Sequence, residues 1–120
     1  GSPVGGTMMP ILQAAVGRRT RLIHPVGLEK RVERPIGELA ALASRSNDGK
    51  GLRLLQSCGE VFTELDAIEA LFSLRAYLLA AGGVCGAESS VLLTLSGSEE
   101  NLLRAERYFR SIQDTPSFSL

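Results

Sequence analysis

The chain has no tryptophan, a single histidine, two cysteines and few aromatic residues, four Phe and two Tyr among 120 residues. So few aromatics leave too little for a platform on which bases stack, and the core has to be assembled from Leu, Ile, Val and Ala. Cys58 and Cys85 can form at most one bridge, which excludes a disulfide scaffold. An excess of either charge is also missing. Lys and Arg number 13 and so do Asp and Glu, which removes net basicity as a reason to expect nucleic acid or an anionic membrane as partner. No apolar run reaches the roughly 18 residues of a membrane span, and no charged-then-apolar leader opens the chain. The expectation is a soluble, intracellular protein.

The chemistry of catalysis is equally thin. There is no G-x-S-x-G, no Walker loop and no G-x-G-x-x-G; Gly82, Gly83 and Gly86 follow an expected helix, the wrong context for a dinucleotide fingerprint. His24, beside Pro25, has a sufficient reading as a structural or surface residue. Glu99 and Glu100 are explained by the partial positive charge of a helix start. Arg18, Arg19 and Arg21 read as a solvated strand edge, where positive charge discourages unwanted pairing. A non-enzymatic protein without a cofactor is expected.

What is present is globular: 44% hydrophobic and 22% charged residues on a length suited to one core. Residues 1–8 read as an expression scar or flexible lead, and residues 9–120 as a single domain. Ala14–Val16 and Thr20–Ile23 are expected as short strands, the second stopped by His24-Pro25. Pro35 opens a helix to about Arg45 through Ile36, Leu39, Ala40 and Ala43. Ser46–Gly51 is a polar loop. Leu52–Gln56 reads as a strand. Thr63 and Asp66 have the spacing of a capping box and start a helix expected over Glu64–Ala81, left through Gly82-Gly83. Val91–Leu95 reads as a central strand buried on both faces. Ser98 caps a last helix with Leu102, Ala105, Phe109 and Ile112 inward and Arg104, Arg107 and Arg110 elsewhere. The tail after Gln113 is too short for another helix. The sum is an α/β (α+β) domain, helices packed on a sheet of about four strands.

The segment Leu12 to His24, with its aliphatic-Gln pair, Gly17 followed by Arg18, and a Leu and His at the end, resembles the opening of circularly permuted shell proteins of bacterial microcompartments. The resemblance is to the hexameric kind found with ethanolamine and propanediol utilisation. It continues co-linearly: Leu52–Gln56 is similar to the family's first core strand, Cys58-Gly59-Glu60 to its turn into the long helix, and Thr63–Ala81 to that helix. Val91–Gly97 with Ser98–Leu102 resembles its strand, glycine turn and final helix, and Ile112–Thr115 its closing segment. Departures are the missing proline before Gly17, a longer loop at Ser46–Gly51, a shortened stretch at Val84–Ser90, and no lysine near Cys58-Gly59-Glu60 to serve the tile edge.

The resemblance implies a structural role. The chain would form homohexameric tiles in the shell facets, in the bacterial cytoplasm, with other shell proteins and encapsulated enzymes as partners and neither nucleic acid nor membrane. Gly86, Ala87, Glu88, Ser89 and Ser90 would face the pore, and Leu12, Gln13, Ala14, Ala15 and Val16 would form a small barrel with their symmetry mates. In a ring, Cys85 near the axis would become a circle of thiolates able to hold a metal or an iron–sulfur cluster. The alternative, from another class, is a small dimeric α/β ligand-binding or regulatory module.

Overall fold

The computed structural model describes residues 6–45 and 53–116. The fold is α+β, and the described residues contain four helices and two small sheets. In chain order these are α1 (Met8–Val16), β1 (Ile23–Pro25), α2 (Ile36–Ala43), β2 (Glu60–Phe62), α3 (Glu64–Phe72), β3 (Arg75–Ala81), β4 (Val91–Ser96) and α4 (Glu99–Ile112). The chain divides into two compact units, residues 1–25 with 30–61 and residues 26–29 with 62–120.

The first unit departs most from expectation. Ala14–Val16, expected as a strand, is the last turn of α1, and so the whole set Leu12, Gln13, Ala14, Ala15 and Val16 proposed for a barrel of strands is helical. Met, Leu, Gln and Ala favour a helix, and Pro10 falls in its first turn, where the missing N–H has no intrahelical acceptor anyway. Gly17 ends it, its N–H donating to the Ala15 carbonyl. Thr20–Leu22 is not a strand. β1 begins at Ile23 and takes in His24 and Pro25, where the sequence predicted a stop; a proline is tolerated because the sheet has only two strands, β1 and β2, and every strand is an edge. The Glu60 N–H donates to the Leu22 carbonyl at 2.9 Å. Of Leu52–Gln56, Leu52 lies outside the described residues, and Arg53–Gln56 are exposed and belong to no ladder. The loop expected at Ser46–Gly51 also lies outside them. The helix expected over Pro35–Arg45 is found as α2, with Pro35 itself outside as the extended cap.

In the second unit, the helix expected over Glu64–Ala81 is two elements. α3 closes at Phe72 because Ser73 turns left-handed (φ 54°), its N–H donating to the Glu69 carbonyl at 3.0 Å. A non-glycine residue pays for that geometry by about 1–2 kcal/mol. Burial of Leu74 and Ala76, at the start of the strand that follows, offsets it. β3 and β4 form an antiparallel pair, with Arg75 opposite Ser96, Ala76 opposite Leu95, Tyr77 opposite Thr94 and Leu78 opposite Leu93. The register then shifts at Leu79, so that Ala80 lies opposite Leu92 and Ala81 opposite Val91.

The expectation of one sheet of about four strands is thus corrected to two sheets of two. β4 is not buried on both faces either: exposure alternates along it, because helices cover one side of the pair only. The core comprises Ile68 and Phe72 of α3, Leu74, Ala76 of β3 and Ala105 of α4, with Leu65, Leu93, Leu95 and Leu102 packed around them. Phe72 lies against Tyr108 and Phe109, ring centroids 5.5 and 6.1 Å away. Gly97 is required by proximity, since a Cβ there would collide with the Leu74 side chain. α4 starts where expected, the Ser98 hydroxyl accepting from the Asn101 N–H at 3.3 Å. Its inward stripe is narrower than the spacing suggested: Ala105 is fully buried, while Phe109 and Ile112 remain largely exposed.

Candidate functional site

The candidate pore residues all lie in the turn that joins β3 to β4. Gly82 opens it with φ 96°, and its N–H donates to the Ser90 carbonyl at 2.9 Å while the Ser90 hydroxyl donates back to the Gly82 carbonyl at 3.2 Å. Inside this closure the chain folds on itself. The Ala87 N–H reaches the Val84 carbonyl, the Ser90 N–H reaches the Ala87 carbonyl, and the Glu88 carboxylate accepts from the Gly86 N–H at 2.9 Å. Gly83 has to be glycine, for a Cβ would strike the Ala87 carbonyl. The stretch from Val84 to Ser90 that the resemblance expects to hold a strand is therefore turn throughout, and the strand precedes it at Arg75–Ala81. Gly86, Ala87, Glu88, Ser89 and Ser90 are all exposed, and Glu88 is the one carboxylate among them.

Cys85 stands in the same turn, exposed, with φ 56°. Among the described residues no three His, Cys, Asp or Glu side chains converge as metal ligands within one chain.

Behind the turn, the side of the β3–β4 pair turned away from the helices is uncovered. Tyr77 is 49%, Leu79 62% and Leu92 60% exposed, and Thr94 lies opposite Tyr77 on the same face. Leu79 is added to that face by the register shift, which the sequence could not reveal because the same apolar run also fits a helix.

His24 lies where a catalytic group could be suspected, with Nε2 3.0 Å from the Ser57 Oγ. The same nitrogen is 2.8 Å from the Cys58 carbonyl oxygen, which can only accept, so Nε2 carries the proton and offers Ser57 no lone pair. The Ser57 hydroxyl in turn donates to that carbonyl at 3.1 Å. This arrangement ties β1 to the turn ahead of β2 and does not activate a nucleophile. Sequence reasoning read His24 as structural but gave it no partner, since Ser57 is remote in the chain. Arg21 makes a two-pronged pair with Glu60, at 3.1 and 2.7 Å, so one member of the expected basic cluster is a strand-edge clamp. The hydrogen bond and charge of Arg21 hold the Glu60 carboxyl below its ordinary value.

No family model matches the chain, and no curated protein or solved structure does so either.

Proposed function

We propose that the chain is a structural shell protein of a bacterial microcompartment, a tile that joins five other copies in a ring and builds the shell facets together with other shell proteins. The observation that carries this reading is the uncovered apolar side of the β3–β4 pair, where Tyr77, Leu79 and Leu92 stand exposed together beside two open strand edges. Isolated exposed leucines are ordinary on a monomer, but a contiguous apolar face along unpaired strands is a surface for another chain. The element order supports it as well. From β2 onward the chain runs strand, helix, strand, glycine-containing turn, strand, helix, the order the resemblance implies, with the second strand ahead of the turn.

In such a ring the turns holding Gly86 to Ser90 gather at the centre and limit metabolite passage, with Glu88 supplying one carboxylate per copy. Zero net charge removes long-range repulsion between copies. The role requires no catalytic group and no cofactor, and its location is the shell in the bacterial cytoplasm. Negative-stain imaging with sedimentation mass tests the proposal: six-fold rings or sheets are expected, and a stable monomer or dimer at micromolar concentration overturns it.

A further inference from the structure

A cavity of about 490 Å³ lies within the first unit, where α1 faces residues 55–58. Met9, Leu12 and Val16 of α1 and Leu55 across from them give it an apolar wall. Its polar groups are the side-chain amides of Gln13 and Gln56 and the thiol of Cys58, and none of the described residues lining it is charged. The volume falls in the range of small-molecule sites, which combine such a wall with a few polar groups. An ion entering would shed water without meeting a counter-charge, whereas an apolar body gains from leaving water. Side-chain amides both donate and accept, so they can orient one carbonyl or hydroxyl.

We infer that this cavity binds small, uncharged, predominantly apolar molecules that carry one carbonyl or hydroxyl group, and that Cys58 stands in its wall as a built-in reporter. The site is independent of the tile reading, since it lies in the other unit and makes no use of β3 or β4.

The test uses the full chain and two reagents that share one reactive group, N-phenylmaleimide and N-methylmaleimide. With either, the thiolate sulfur adds across the carbon–carbon double bond and a proton ends on the neighbouring carbon. Only the apolar body differs. Cys85, exposed in the second unit, is the internal control, and modification at each thiol is followed by peptide mass spectrometry. The phenyl-to-methyl rate ratio is expected to be higher at Cys58 than at Cys85 by about tenfold, the gain from partly burying a phenyl ring. Cyclohexanone, a neutral probe with one carbonyl, is expected to slow N-phenylmaleimide at Cys58 and leave Cys85 unchanged. Leu55→Glu places a charge in the wall at a position 74% exposed, where the fold tolerates it, and is expected to bring the two ratios together. Equal ratios in the unsubstituted chain, no competition by cyclohexanone, or selectivity that survives Leu55→Glu would overturn the inference. So would protection of Cys58 from both reagents as protein concentration rises, which would mean that a second copy covers the cavity.

Discussion

Leu92→Glu separates a face made for another chain from one that is merely solvated. Leu92 is 60% exposed on the uncovered side of the β3–β4 pair, opposite Ala80. A leucine at that exposure offers about 100 Å² of apolar surface, which at about 25 cal/mol per Å² contributes about 2.5 kcal/mol when a partner covers it. Losing that term alone weakens each contact roughly sixtyfold, and the carboxylate adds the cost of being desolvated. Symmetry repeats the penalty at every interface of a closed ring. Within the chain the same change costs no more than about 1 kcal/mol of strand preference, because the side chain touches no core residue. Sedimentation velocity at micromolar concentration, beside thermal melts followed by circular dichroism, reads both effects. The expected result is a shift from rings to smaller species with the secondary structure retained. An assembled variant indistinguishable in mass from the unsubstituted protein would refute the argument that this face is an interface.

Two further outcomes concern the second unit. Phe72→Ala removes a buried ring packed between α3 and the aromatic pair of α4, and is expected to cost about 3–5 kcal/mol in chemical denaturation, with Phe72→Leu losing much less. Asp66 accepts from the Thr63 N–H at 2.7 Å and from the Thr63 hydroxyl at 2.8 Å, and these bonds, the backbone one first, hold its carboxyl below the usual range. A depressed folded value means that the stabilisation is present above the unfolded carboxylate range and is lost as pH falls through the folded value. Denaturation midpoints taken down through that acid window should therefore fall more steeply for the unsubstituted chain than for Asp66→Asn, and superimposable acid profiles would contradict the assignment.

Start signals were the most legible part of the fold. The Thr63–Asp66 and Ser98 starts are local chemistry, a hydroxyl or carboxylate within reach of backbone N–H groups a few residues away, and both helices begin where those residues put them. Aliphatic runs were not legible in the same way. Ser73–Ala81 satisfies a helical spacing and a strand alternation alike, and α1 occupies residues whose short apolar pieces suggested extended chain. The candidate turn residues were found as a set, though the strand expected among them lies before them.

The sequence by itself determined a charge-balanced, aromatic-poor α+β chain whose core is aliphatic, the places where α3 and α4 begin, and the glycine-rich turn between Gly82 and Ser90. Only tertiary structure decided that α3 stops at Phe72. The alternative to helix for Arg75–Ala81 is stabilised by a ladder with Val91–Ser96, a partner distant in sequence, and by the burial of Leu74 and Ala76 against Ala105 and its neighbours. Tertiary structure likewise decided which side of that ladder is left bare, because a face is covered or uncovered only by what packs on it, and periodicity within one strand cannot say whether a helix arrives.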